Sequence, residues 1–369
     1  MESSETTIPR EQAERNTTAA REIPSGPDSS SADSRGSLRL AIVGCGAVSE
    51  KTHIPAALQV ENVRLTGLVD VDGARARAVA SQFDVPFAAT ALGEVADRAD
   101  AVILAAPPHV HASLAGEAFQ RGLHVLCEKP MANSAAECRQ MMAAARDARR
   151  VLAMAHTYRY FPNRMHARSM YAEGRMGRML SVDVEQGAPC NWPSRTGYTL
   201  RKELVPGGVL FNEGVHVLDM LLWWFGEPEH FEYHDDSLGG LESNVRIHLR
   251  YRGAAAASFR LSRTCELRNR VEMQFERGRM SFLLYDMSGL TVMDEDGKSA
   301  SLTFHHKTWD FGHAAVEQLR DFADAVLDRR PPSIPGAVGT QVVEFIEACY
   351  RKRRSRSRPT LIPQPGVTW

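Results

Sequence analysis

The stretch Leu40-Ala41-Ile42-Val43-Gly44-Cys45-Gly46-Ala47-Val48-Ser49 decides how the first half of the chain is read. Its first four residues have the composition of a buried strand, and they run straight into a Gly-x-Gly turn. Glycine at positions 44 and 46 permits the tight turn and lets backbone N–H groups approach a pyrophosphate. The helix that follows offers its positive N-terminal end. Gly44, Gly46, Ala47 and Val48 are therefore read as a nucleotide-binding loop. The third position of that fingerprint is Ser49 rather than glycine, a residue still small enough for close helix–strand packing. By itself the turn is equally compatible with a plain structural bend.

Outward from this loop, short apolar runs alternate with amphipathic stretches. Strands are expected at 40–43, 64–69, 101–105, 124–127 and 151–155, with helices around 55–58, 74–83, 110–121 and 134–149. Ser134 with Glu137 three residues later has the pattern of a capping box. Such alternation predicts an α/β fold with a doubly wound parallel sheet, the Rossmann arrangement, over residues 38–157. Residues 1–37 contain no aromatic residue and few aliphatics, so they are read as a disordered tail.

After Tyr158 the pattern changes. A helix at 163–173 leads to a strand at 180–185 and a loop rich in Pro, Trp, Arg and Gly at 187–208. An apolar helix at 209–225 then ends at Gly226, with Pro228 just beyond. Residues 231–303 alternate strand-like stretches with turn signals such as Gly239-Gly240 and Asp296-Gly297. Helices at 313–327 and 338–352 close the chain. Residues 158–369 are expected to form an α+β domain with an open, mainly antiparallel sheet.

The 369 residues are 43% hydrophobic and 24% charged, with a formal net charge of −1. That composition can bury two cores and gives no reason to expect nucleic acid or an anionic membrane as a partner. The basic run 351–358 follows a helix and is read as its solvated end. None of the six cysteines has Cys-x-x-Cys spacing, and no apolar leader is evident, which fits free thiols in a reducing cytoplasm. No apolar run is long enough to cross a membrane. No metal site is expected, the His305-His306-Lys307 run included.

The second strand ends in Leu68-Val69-Asp70, which puts a carboxylate where adenosine ribose hydroxyls would sit. That charge repels a 2′-phosphate, so NAD is expected over NADP, with Arg75 nearby as a group that softens the exclusion. The strand at 101–105 runs into Ala106-Pro107-Pro108-His109-Val110-His111 on the ligand side of the sheet. Pro107 and His111 are placed at the cofactor, although either histidine serves equally well as a helix cap. The next strand ends in Glu128-Lys129-Pro130. A lysine there can reach a substrate hydroxyl beside a nicotinamide; a surface Glu–Lys pair is the alternative.

At this point the sequence resembles the Gfo/Idh/MocA oxidoreductases, which include glucose–fructose oxidoreductase and inositol dehydrogenase. The resemblance runs from about Leu38 to the C-terminal helix and rests on three motifs in order. They are the 44–49 loop followed by His53-Ile54-Pro55-Ala56, then Glu128-Lys129-Pro130, then Gly207-Gly208-Val209-Leu210-Phe211-Asn212-Glu213-Gly214-Val215-His216-Val217-Leu218-Asp219. The family implies a site between the two domains, with Glu128 and Lys129 beside the nicotinamide cofactor. Lys129 then matches the family's catalytic lysine, His216 its acid/base, and Arg159 a substrate-domain arginine. Many members have aspartate where this chain has Asn212, which can orient the His216 ring but adds no negative charge. Asn212, His216 and Asp219 are expected on one helix face, with Val215, Leu218 and Leu222 turned to a core.

The implied chemistry is reversible oxidation of a secondary alcohol on a sugar, cyclitol or nucleotide-sugar-like substrate. Lys129, His216 and Asn212 stand at the reacting centre, with Arg159 and Trp192 against the substrate. Two other readings stay open: a glycoside hydrolase using NAD for a transient oxidation, and a non-catalytic sensor that keeps the dinucleotide site. The 187–208 loop, with Trp192, Arg195, Tyr198, Arg201 and Lys202, is expected to line the substrate cleft. Its positive charge hints at an anionic substrate or at plain solvation. By resemblance, open sheets pack face to face into a homodimer or homotetramer.

Overall fold

The computed structural model describes residues 36–189, 196–304 and 311–353. A first sheet holds β1 (Leu38–Val43), β2 (Val63–Val69), β3 (Ala88–Ala89), β4 (Ala101–Leu104), β5 (His124–Glu128) and β6 (Leu152–Ala155). All of its pairings are parallel, in the order β3-β2-β1-β4-β5-β6. Side chains alternate along β1 between two cores: Leu38, Leu40 and Ile42 enter one, Ala41 and Val43 the other. Helices α1 (Ile54–Ala57) and α2 (Gly73–Gln82) cover the first face, and α3 (His111–Gln120) and α4 (Ala135–Asp147) the second. The capping box forms at the start of α4. The Glu137 N–H donates to Ser134 Oγ at 3.2 Å and the Ser134 N–H to Glu137 Oε2 at 3.0 Å.

The predicted strands of this half all form, with ends shifted by no more than two residues. Only β3 was not foreseen, because two alanines are too short to show a period. Strand order reverses between β1 and β4. Their carboxyl-end loops part there and open the crevice in which such sheets bind ligands.

After β6, α5 (Pro162–Ala172) leads to a second sheet of β7 (Met179–Gly187), β8 (His230–Asp235), β9 (Asn244–Arg250), β10 (Ala256–Ser262), β11 (Arg270–Phe275), β12 (Gly278–Leu283), β13 (Gly289–Asp294) and β14 (Ser299–Thr303). Its order is β14-β13-β12-β11-β7-β10-β9-β8, antiparallel except for the β7–β10 pair. One face is charged, with Glu185 paired to Arg260 and Arg268. The other packs against α6 (Val215–Phe225), where Val215, Leu218 and Leu222 join Val184, Phe259 and Leu261 in one core, as expected.

Two features depart from the simple reading. Helix α7 (Phe311–Leu327) returns to the first sheet, where Ala315, Leu319 and Phe322 pack with Leu40 and Ile42. Its partner α8 (Gly336–Arg351) bridges the halves, contributing Val343 to the core beneath β5 and Val342 and Ile346 to the core under the second sheet. The stretch from 209 is also not one continuous α-helix. A π-helical turn (Leu210–Gly214) precedes α6, and a matching turn (Ser49–His53) precedes α1. Wide turns of this kind cost hydrogen-bond geometry and concentrate at functional sites.

Candidate active site

Gly44 has φ +101°, and a Cβ there would lie 2.6 Å from the Ala105 carbonyl oxygen, so the fold itself demands glycine. At Gly46 a Cβ would meet nothing within 4 Å. No neighbour in the protein requires glycine at 46, and its open side faces the crevice. The N–H groups of Gly46, Ala47 and Val48 stand at a helix start, where donors lack intrahelical acceptors. Buried Ser49 donates its Oγ hydrogen to the Gly44 carbonyl at 2.5 Å, so the departure from the fingerprint ties the loop down instead of loosening it.

Asp70 is held in place by two backbone donors, Cys45 N–H at 2.8 Å and Asp72 N–H at 2.9 Å. A carboxylate has further lone pairs for ribose hydroxyls. The Arg75 side chain donates to the Cys45 carbonyl at 2.8 Å and pairs with Glu50, so its charge is already engaged. An open cradle of donors beside an anchored carboxylate fits an adenine dinucleotide without a 2′-phosphate. Pro107 lies partly exposed on the loop after β4. His111 is buried behind it, Nε2 2.7 Å from the Ala106 oxygen and Nδ1 3.1 Å from those of Pro130 and Met131. It braces this loop to the turn after Lys129.

Lys129 stands at the end of β5 and donates from Nζ to the Asn212 carbonyl at 3.1 Å. This bond joins the first sheet to the turn before α6. Removal from bulk water lowers the Lys129 pKa, and the charges of Glu128 and Glu213 oppose that. Glu128 is engaged on both oxygens, Oε1 2.8 Å from His53 Nε2 and Oε2 accepting the Lys129 N–H at 3.0 Å. Burial pushes its carboxyl up, but the His53 bond and the cations around it win and hold it below the usual range.

His216 stacks on Tyr158 with ring centroids 4.3 Å apart, and its Nδ1 has no hydrogen-bond partner among the described residues. Burial, then the charges of Lys129, His156 and Arg164, drive its pKa well below the ordinary histidine value. The ring is therefore neutral near pH 7 and able to accept a proton. Arg164, wholly buried, lies 4.2 Å over the Tyr158 ring and donates to the Leu284 carbonyl at 2.6 Å. Arg159, expected at the substrate, is committed to fully buried Asp219, with Nη2–Oδ1 at 2.7 Å and Nε–Oδ2 at 2.9 Å. His156 Nδ1 lies 3.6 Å from the same carboxylate.

Asn212, His216 and Asp219 thus turn to three different partners: Lys129, Tyr158 and Arg159. What Asn212 gives Lys129 is its backbone carbonyl, a contact an aspartate could make equally well. The carboxylate missing at 212 stands one residue on, at Glu213. Burial raises the Glu213 pKa against the opposing charges of Arg263 and Lys129, and the Asn212 side chain bonds to it.

Glu242, which no motif pointed to, sets the entry to this turn. It is fully buried, accepting from Leu210 N–H at 3.1 Å and Tyr350 O–H at 2.8 Å and pairing with Arg353. A Cβ on Gly208 would collide with the Glu242 backbone, and one on Gly207 with the Tyr350 ring. Those contacts explain the glycine pair. Of the 187–208 loop, Trp192 and Arg195 lie outside the described residues, as do 1–35, 305–310 and the end of the basic run. Arg201 and Lys202 are exposed, the latter bonded to the Gly239 carbonyl, and Tyr198 is partly buried.

Residues 38–156 match the oxidoreductase family with an NAD-binding Rossmann fold, and residues 165–281 match the GFO/IDH/MocA C-terminal domain. Among curated proteins, the D-glucoside 3-dehydrogenase of Escherichia coli (strain K12) is 29% identical over 197 residues, 52% of this chain and 55% of that enzyme. The chain thus spans about half the length of the curated relatives it matches. Among solved structures, an aldose–aldose oxidoreductase from Caulobacter crescentus, complexed with glycerol, superposes with a TM-score of 0.77 at 23% identity, covering 86% of this chain and 97% of that one. A levoglucosan dehydrogenase in complex with NADH and levoglucosan gives 0.79 at 20% identity over 86% and 97%. At such identities the likeness is one of fold. With both family domains matched in order, the chain belongs to the Gfo/Idh/MocA oxidoreductases.

Proposed function

We propose that this chain is an NAD-dependent oxidoreductase interconverting a secondary alcohol and its ketone on a sugar, cyclitol or related polyol. The observation that carries the reading is the Lys129 Nζ bond to the Asn212 carbonyl, 3.1 Å long, four residues before His216. It brings a cationic donor and a neutral imidazole together at the carboxyl end of a nucleotide-binding sheet. Gly44, Gly46, Ala47 and Val48 hold the pyrophosphate and Asp70 the adenosine ribose, while Pro107, His111 and Glu128 shape the wall behind. The Asp70 charge and the engagement of Arg75 by Glu50 favour NAD over NADP. Bound NAD supplies the hydride acceptor.

His216 takes the hydroxyl proton, and Lys129 hydrogen-bonds the same oxygen as negative charge develops on it. Arg164, across the Tyr158 ring, disfavours early protonation of His216. Arg159, locked to Asp219, steadies the wall beside the substrate, and Trp192 belongs to the same wall. Four cysteines, Cys45, Cys127, Cys138 and Cys349, are buried free thiols, which suits a reducing cytoplasm. No helix among the described residues is long and apolar enough to cross a membrane. A homodimer or homotetramer built through the outer face of the second sheet completes the proposal, to be read by light scattering.

The test follows NADH absorbance over a polyol panel, with nitrophenyl glycosides alongside. Lys129→Ala and His216→Ala should each cut turnover by about 10²-fold or more while NADH still binds. Full activity in both variants would refute the assignment. Nitrophenol release without NADH would favour the hydrolase, and NADH binding with neither activity the sensor.

A further inference from the structure

The inner face of the second sheet carries buried polar atoms with nothing to bond. Strand β10 runs parallel to β7, with Leu261 opposite Gln186. Side chains alternate along a strand, so Gln186, Leu261 and Arg263 share one face while Glu185 and Arg260 pair on the other. The face is the one under the 210–214 turn, since a Cβ on Gly214 would lie 2.8 Å from Leu261 Cδ2. Gln186 is 4% exposed and Arg263 8%, yet Gln186 Oε1 and Arg263 Nε and Nη2 have no partner among the described residues. Arg263 Nη2 stops 3.9 Å from Glu213 Oε1, near enough to balance charge and too far to hydrogen-bond. Glu213 in turn adjoins Asn212, whose carbonyl holds Lys129.

We infer that Arg263, Gln186 and Glu213 form a recognition subsite beside the reacting centre, and that it takes two neighbouring hydroxyl groups of a neutral polyol. The inference rests on the redox reading of Lys129 and His216. Its argument is donor–acceptor complementarity. The Nε–H and Nη2–H edge of a guanidinium is a fork for two acceptor oxygens. Gln186 Oε1 and the Glu213 carboxylate need donors. A hydroxyl group is both at once. A carboxylate or phosphate offers acceptors only; it would satisfy Arg263 but leave Gln186 Oε1 unpaired and press an anion against Glu213. A site built from buried hydrogen-bonding groups discriminates strongly against ligands that leave them unmatched. The subsite therefore selects against the anionic substrate hinted at by Arg201 and Lys202, which are exposed.

Four probes test this with the full chain: methyl β-D-glucopyranoside and myo-inositol, against D-glucuronate and D-glucose 6-phosphate. Initial rates with NAD should show the lower KM for the neutral pair. Arg263→Met should raise that KM by about tenfold or more with a smaller change in kcat, and Arg263→Lys should recover part of the loss. Thermal shift of the NADH-loaded protein reads binding without turnover. The neutral probes should raise the Tm of wild type and not of Arg263→Met, while NADH raises both. If Arg263→Met does not fold, Gln186→Leu reads the same subsite and should weaken the neutral probes alone. A lower KM or larger Tm rise for the anionic pair, an unchanged variant, or no Tm rise with any neutral probe overturns the inference. A neutral-probe Tm rise that is lost in Arg263→Met, without NADH formation, would sink the redox reading and leave the subsite standing.

Discussion

Two glycine-rich entries in this molecule use the same punctuation for opposite purposes. Gly44 and Gly46 lead into the wide turn before α1, and Gly207 and Gly208 into the wide turn before α6. At the first, the protein itself crowds only Gly44, and Gly46 looks onto open space. The loop ends with backbone donors facing a crevice. At the second, both glycines are jammed against the chain's own atoms, and the Glu242 carboxylate already takes the Leu210 N–H. That helix start is closed to any outside anion. Its chemistry emerges further along instead, from the Asn212 carbonyl, Glu213 and His216. A glycine pair before a helix marks a ligand cradle only when the fold leaves the donors free.

Substitutions can break this contrast, and the largest effect is expected at the closed entry. Glu242→Ala leaves Arg353 and the Leu210 N–H buried without their partner, and should lower stability by about 3–5 kcal/mol in urea titrations. Gly208→Ala should cost roughly 1–3 kcal/mol, because the backbone of Glu242 must move. Gly46→Ala should keep stability within about 0.5 kcal/mol of wild type, yet weaken NADH by about tenfold or more in calorimetric titration. If Gly46→Ala unfolds the protein and Gly208→Ala is silent, the contrast is wrong. Asp70→Ala should narrow the NAD-over-NADP preference by about tenfold, since one carboxylate no longer binds ribose or repels phosphate.

The smallest effect is a pH dependence spread over four histidines. Burial lowers the pKa of His111, His156 and His216, and holds His124 at about 4. Below about pH 6.5 the unfolded chain binds protons that the folded chain refuses. Their contribution to stability is thus fully present above that pH and is lost progressively as pH falls toward 4. Tm should be level from neutral pH upward and decline on the acid side. A Tm that stays flat down to about pH 4 would mean that these histidines are not held neutral.

Much of the first half was legible because periodicity and turn chemistry act locally. The parallel strands, the Ser134–Glu137 box and the anchored Asp70 all follow from short-range rules. The chemical pair, Lys129 and His216, became legible only through the family motifs, since neither residue is distinctive alone. Four things were not legible, each for a physical reason. Glu242, Arg164 and Arg263 are buried charges whose partners lie far along the chain, so no spacing announces them. The return of α7 to the first sheet is a packing choice between two equally apolar faces. Arg159 looked like a free cation because its partner Asp219 is 60 residues away. The wide turn at 210–214 hides inside a run of helix-forming residues, and only contact with Glu242 reveals why the chain bends there.

Hydride transfer itself is open to the most direct test. Methyl β-D-glucopyranoside deuterated at every ring carbon is incubated with NAD and the protein, and the nicotinamide product is weighed by mass spectrometry. One deuterium per turnover should appear in NADH, at a rate lowered about 10²-fold or more in His216→Ala. NADH that forms without deuterium, or label transfer untouched by the loss of His216, would contradict the account.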